Sequence, residues 1–239
     1  MTEVMQVREA YRVEQWRQLM HCPRDEELER FSQHYKSVTS EKYDRIITRF
    51  SCELTHPKRN QETALGDLIA DILRDSFGID LMLMGSGAIR SYSLGPVVHY
   101  ADLVECLPYD DAVYMLKVTG TQLERMIRHI LRDEAFQGEH TEFYQFSHGM
   151  RIVWSRSGQV FRELTLDGEV LHADRLYSVA MQKYHYNNLK PFLNITLEEA
   201  EQNGKIRVLS TSARDVVEEY LTVNQHLSRE VEGRLVVEA

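Results

Sequence analysis

Residues 57–87 read PKRNQETALGDLIADILRDSFGIDLMLMGSG. Leu65, Leu68, Ile69, Ile72 and Leu73 fall at i, i+3, i+4, i+7 and i+8, the spacing of an amphipathic helix. Gly78 stands where such a helix takes a left-handed C-terminal cap. Residues 79–84, IDLMLM, then form a short continuous apolar run, which predicts a buried strand, and Gly85-Ser86-Gly87 predicts a turn.

Downstream, a strand is expected over Ala112 to Val118, followed by a helix with its face on Leu123, Met126, Ile127, Ile130 and Leu131. Thr121 with Glu124 reads as its capping box. From Phe143 the period changes to that of strands. Ile152 to Trp154, a Ser157-Gly158 turn, Phe161 to Leu166, an Asp167-Gly168 turn and Leu176 to Met181 read as a meander. A strand at Ile206 to Leu209, a helix from Ser212 with Ala213, Val216, Val217, Tyr220 and Leu221 inward, and a strand at Leu235 to Val237 close the chain.

Upstream the signal is weaker. Val4, Val7, Tyr11, Val13 and Trp16 are the apolar anchors of residues 1–22. A helical stretch after Pro23 carries Leu28, Phe31 and Tyr35 on one face, and Lys42 to Phe50 reads as a short strand or helix. Residues 1–50 are expected to be a connector and residues 51–239 the domain. Helices early and late with antiparallel strands between them indicate an α+β fold of layered helices and mixed or antiparallel sheets.

Composition narrows the function classes. The 239 residues are 43% apolar and 27% charged, an ordinary globular balance, with a net charge of −9. Such a surface repels phosphate polymers, so a nucleic acid is not the expected partner, while a local arginine cluster can still hold a small anion. No apolar run is long enough to cross a bilayer, and no signal-peptide stretch is visible, which favours a cytoplasmic location. Cys22, Cys52 and Cys106 have the spacing of neither a metal knuckle nor a redox pair and read as reduced, part-buried thiols.

Three segments can carry chemistry. Gly85 to Arg90 pairs a small-residue turn, whose N–H groups can cradle an anion, with a permanently charged guanidinium. It lacks the third glycine and the following helix of a dinucleotide fingerprint. Arg59 precedes a helix start at Glu62-Thr63 and is open to either a solvated or an anion-binding role. Tyr109, Tyr184 and Tyr186 sit at element ends, where rings either pack or stack on a flat heterocycle. The ten histidines form no metal-ligand motif, and there is no nucleophile elbow or Walker loop. Ser147 and His148 are adjacent on an expected strand, so they should point to opposite faces.

Taken in order, these stretches resemble a known family. Arg59…Glu62-Thr63-Ala64-Leu65-Gly66-Asp67-Leu68-Ile69-Ala70-Asp71 is similar to the opening "R..E(S/T).LGNLIAD" of the 5'-nucleotidase C-terminal domain, and Gly85 to Arg90 to its "NGGGIR" loop. Asp102 to Tyr109 resembles "D.....PF.N", Phe143 to Gly149 resembles "FLQ.SG", and Tyr177 to Ala180 resembles "Y.VA".

The resemblance implies a substrate-recognition domain of a metal-dependent hydrolase of nucleoside monophosphates. Its partners would be a nucleoside or nucleotide and an N-terminal metallophosphatase domain, with no nucleic acid polymer and no membrane. Two divalent metals are expected in that other domain and no cofactor in this chain, which has no catalytic residues of its own and should be inactive alone. Arg59 and Arg90 match the substrate arginines, and Tyr109 and Tyr184 match the two rings that sandwich the base. Gly85, Ser86 and Gly87 match the glycine loop, with Gly85 where an asparagine is usual. Lys190 stands where an acid should hold the ribose hydroxyls, and an ammonium cannot accept them. Action on cyclic or non-nucleotide phosphate esters, or a binding module that keeps only the fold, are the alternatives.

Overall fold

The computed structural model describes residues 25–137 and 141–238. The expected anchors Val4, Val7, Tyr11, Val13 and Trp16, together with Cys22 and His140, lie outside the described residues.

The helix and strand of residues 57–87 form the centre of the fold. Helix Ala64–Phe77 (α2, after α1 at Glu26–Tyr43) begins where the Thr63 side chain accepts the Gly66 N–H, and ends at Gly78 with φ +58°. Strand Leu81–Gly85 (β3) is buried along its whole length. Leu81 and Leu83 enter one core and Met82 and Met84 the other, which is why its sequence is apolar without alternation.

Around β3 runs a five-stranded sheet with Val113–Thr119 (β6), Tyr144–Phe146 (β7), Leu176–Gln182 (β11) and Arg207–Ser210 (β12), in the order β12-β6-β11-β3-β7. Only the β11–β3 pair is parallel. Helices α2, Tyr100–Cys106 (α3) and Ala213–Val223 (α8) cover one face, burying Leu65, Ile69, Leu103 and Val217. The other face packs on Gly120–Ile130 (α4), Leu189–Leu193 (α6) and Leu197–Gln202 (α7). That layer also takes residues from a second sheet of Glu169–Val170 (β10), Val160–Leu166 (β9), Met150–Ser155 (β8) and Leu235–Glu238 (β13).

Two short antiparallel pairs complete the sheets. Ile46–Arg49 (β1) pairs with Val97–His99 (β5) and buries Ile47, and Leu54–Thr55 (β2) pairs with Ser93–Leu94 (β4).

Several expectations change. The meander stops at β10: β11 leaves it and runs between β6 and β3. Its second half is buried at every residue, which suits a strand covered on both faces better than a sheet with one wet side. β13 lies parallel along β8, a pairing between distant segments that no local turn announces. The capping box of α4 is Thr119 with Gln122, not Thr121 with Glu124. Thr119 Oγ1 accepts the Gln122 N–H at 3.2 Å and Gln122 Oε1 accepts the Thr119 N–H at 2.8 Å. β6 runs straight into the helix, so the earlier pair takes the cap, and the Thr121 hydroxyl turns to the Ala173 carbonyl. Leu28, Phe31 and Tyr35 do lie on α1, and all three are exposed.

A buried ion cluster fastens the end of the chain to α2. Arg234, 3% exposed, donates to Asp71 at 2.6 and 2.9 Å and to the Phe146 carbonyl at 2.9 Å. Arg229 approaches Asp71 at 3.1 Å. Asp67, fully buried, lies 3.8 Å from Arg234, and burial pushes its carboxyl up to about 8 against the pull of that guanidinium. Glu62 accepts the N–H groups of Glu232, Gly233 and Leu235, so the segment leading into α2 is held by the chain entering β13.

Candidate functional site

β3 and β11 are parallel neighbours, so their C-terminal ends emerge side by side, and antiparallel β6 begins at the same edge opposite Gln182. Three segments therefore meet there: the turn after β3, residues 108–112 before β6, and Lys183–Tyr186 (α5) after β11. Backbone bonds fix them together. The Arg90 N–H donates to the Cys106 carbonyl at 2.8 Å, the Lys183 N–H to Ala112 at 2.8 Å, and the Ala213 N–H to Asp111 at 2.9 Å.

Between them lies an open cavity of about 590 Å³, within the usual size of a small-molecule site. Arg59, Gly87, Arg90, Tyr109 and Tyr184 line it, so five of the eight residues named from the sequence share one pocket. The Arg90 guanidinium lies 5.8 Å from the Tyr109 ring centroid, and its Nη1 donates to the Gly87 carbonyl at 3.3 Å. Tyr109 and Tyr184 are each 52% exposed, leaving ring faces available to a ligand. Tyr184 is backed by Phe192 and His185 at 5.5 and 5.4 Å between centroids.

The other three stand apart from the pocket. A Cβ on Gly85 would collide with the His185 ring, so the glycine serves to admit that imidazole rather than to meet a ligand. Ser86 is fully buried: its hydroxyl accepts from Gln145 Nε2 at 2.9 Å and its carbonyl faces His56 Nε2 at 3.1 Å. His56 Nδ1 reaches Thr63 Oγ1 at 2.8 Å, and Gln145 Oε1 accepts the Thr63 N–H at 3.0 Å. This network ties the turn to the start of α2; burial lowers the His56 pKa, with the bond to the Ser86 carbonyl opposing. Lys190 bends to its own helix end, donating to Asn194 Oδ1 at 2.9 Å, because the i, i+4 amide is the nearest acceptor on an exposed turn.

The structure adds Asp111, Glu142, Gln182 and His185 to the lining. Each lies one or two residues from a motif position, and that adjacency was the only signal available. His185 is 2% exposed and places Nε2 3.4 Å from Glu142 Oε2. Asp111 Oδ2 accepts the Tyr184 N–H at 3.3 Å. Arg59 Nη1 and Glu142 Oε2 both lie within 4 Å of the space over Gly87, so a cation and an anion share that corner.

Other candidates carry no chemistry. Ser147 Oγ accepts the Met82 N–H, while His148 turns to Arg74 and Asp75, so the two do not meet. Burial pushes the Cys106 thiol up to about 12, and Cys52 is exposed rather than part-buried. No group of three potential metal ligands occurs among the described residues, and no helix among them is long and apolar enough to cross a membrane.

The family model described as "5'-nucleotidase, C-terminal domain" matches residues 39–193, well over half of the chain. The chain belongs to the 5'-nucleotidase C-terminal domain family. No curated protein matches it in sequence. Among solved structures, its fold is similar to a 5'-nucleotidase precursor from Thermus thermophilus, at 20% identity and TM-score 0.71, covering 90% of this chain and 44% of that one. A sulfate thiohydrolase from the same species gives 16% identity and TM-score 0.67, covering 92% and 40%. The NAD nucleotidase of Haemophilus influenzae gives 13% and 0.69, covering 90% and 42%. This 5'-nucleotidase C-terminal domain thus spans less than half the length of these relatives, and at such identities the likeness establishes the fold.

Proposed function

We propose that the pocket grips the nucleoside of a nucleotide substrate, with the base between Tyr109 and Tyr184 and the phosphate end towards Arg59 and Arg90. The convergence of these four side chains from four separate segments on one cavity supports this reading. Ester hydrolysis would be the work of a metallophosphatase domain with two divalent metals, lowering the pKa of bound water to generate the nucleophile. Within that scheme the connector expected over residues 1–50 ends before β1, because Ile47 and Phe50 belong to the core of the recognition domain, and this chain alone is an inactive binder.

The test is a nucleoside titration of the 239-residue chain followed by NMR shifts. Without the other half of a closed site, affinity should be weak, with Kd of the order of 0.1–1 mM. Stacking is worth about 1–3 kcal/mol per base, so Tyr109→Ala or Tyr184→Ala should weaken binding at least about 5-fold, while Phe at either position retains it. Absence of any nucleoside-induced shift, or unchanged binding in both alanine variants, refutes the reading.

Lys190, turned to Asn194 at the position where the family resemblance expects an acid to hold the ribose hydroxyls, favours a second reading, a phosphate ester other than a nucleotide. Mn²⁺-dependent turnover of AMP, cyclic nucleotides and sugar phosphates by this chain together with a metallophosphatase domain would separate the two.

A further inference from the structure

Helix α1 carries apolar surface that the described residues leave uncovered. None of its 18 residues is buried, and at its C-terminal end the Tyr43 ring lies 5.4 Å from that of Tyr100 on α3. Leu28, Phe31, Tyr35 and Val38 are 55–66% exposed and follow at i, i+3, i+7 and i+10, the seam spacing of a helix that packs on a second helix. The Phe31 and Tyr35 rings lie 4.6 Å apart between centroids, so the stripe is continuous there. A helix draws most of its stability from packing such a face, and a bare one marks a contact.

We propose that this face is the docking site of the chain's own residues 13–20, folded back along α1. The segment precedes α1 by a few residues and joins it at the N-cap, Asp25. Its sequence sets Val13, Trp16 and Met20 at i, i+3 and i+7, the mirror of Leu28, Phe31 and Tyr35. Run antiparallel, Met20 meets Leu28, Trp16 meets Phe31 and Val13 meets Tyr35. His21 to Asp25 are then the turn, of a length that joins two antiparallel helices, and Pro23 in it cannot continue a helix begun before it. Charge agrees with that direction. Residues 15–24 contain Arg17 and Arg24 and no acid, and they would adjoin the first turn of α1, which is acidic with Glu26, Glu27 and Glu29. Attachment also decides between this segment and a second copy of α1: a short tether holds the segment at an effective concentration of about millimolar, well above that of a separate molecule in dilute solution.

The experiment is acrylamide quenching of tryptophan emission in the 239-residue chain at micromolar concentration, with sedimentation velocity alongside. The chain has two tryptophans, Trp16 and Trp154, and Trp154 is fully buried, so the readily quenched emission reports Trp16. In the monomer both should be protected. Phe31→Asp, a change at an exposed position, should make Trp16 as open to quencher as tryptophan in solution while Trp154 stays protected, which shows that the domain has folded. Gln33→Asp, on the opposite side of α1, should leave Trp16 protected and controls for aspartate in a helix. Free quenching of Trp16 in the unaltered monomer overturns the proposal, as does a Trp16 that stays protected in Phe31→Asp. Protection that appears only as a dimer sediments gives the face to a second copy, and protection that appears only on adding a metallophosphatase domain gives it to that domain; either result overturns the proposal.

Discussion

Asp67→Asn isolates a single buried proton. Asp67 is fully buried beside Arg234, Glu62 and Asp71, and desolvation pushes its carboxyl up to about 8. In the unfolded chain the same group titrates near 3.8. The folded state therefore holds a proton that the unfolded state releases between these values. Stability from this group is fully present below about pH 4 and is lost as pH rises through about 8. Each pH unit within that window is worth about 1.36 kcal/mol, so the step from pH 5.5 to 7.5 removes up to about 3 kcal/mol. Asparagine resembles the protonated acid in shape and does not titrate. The assay is urea unfolding of both proteins at the two pH values, comparing the change in unfolding free energy. His56, whose folded pKa is depressed, acts in the opposite sense as pH falls, but it is common to both proteins and cancels in the difference. The wild-type chain should lose up to about 3 kcal/mol more than the variant across that step. Parallel profiles would mean that Arg234 keeps Asp67 ionised throughout, and the argument from desolvation would fail.

Gly85→Ala places a methyl group against the buried His185 ring; overpacking of this kind costs about 1–3 kcal/mol in urea unfolding, and the displaced ring should also weaken nucleoside binding. Gln145→Ala strips the partner of the Thr63 N–H and of the Ser86 hydroxyl, and unsatisfied buried groups should lower stability by about 2–3 kcal/mol, read from the same unfolding curves.

The parts of the fold visible in the sequence were those set by local periodicity. The face of α2 and the cap at Gly78 follow from spacing within a few turns of chain, and the Asp167-Gly168 turn follows from residues that tolerate the left-handed region, adopted here at φ +52° and +80°. Sheet partners were not visible. The sequence of β11 is compatible with a hairpin next to β9 or with the centre of another sheet, and only burial on both faces decides between them. For the pocket, Arg59, Arg90, Tyr109 and Tyr184 were found through motif order, and Lys190 was taken for a pocket residue on the same ground. Side-chain direction is not encoded in order: Lys190 turns along its own helix to Asn194. Asp111, Gln182 and His185 went unnoticed because their roles come from strands that meet only in space.

That meeting fixes the frame of the pocket. The β3–β11–β6 edge is held by ladder bonds and by the bonds of Arg90 and Lys183, so the backbone positions of the three segments do not depend on which side chains they present. A glycine at position 85 leaves room that the His185 imidazole fills, and the pocket's acids enter at Asp111 and Glu142 rather than at position 190. The chemistry the ligand must satisfy is better read from the groups that share the cavity than from the positions at which a motif leads one to seek them.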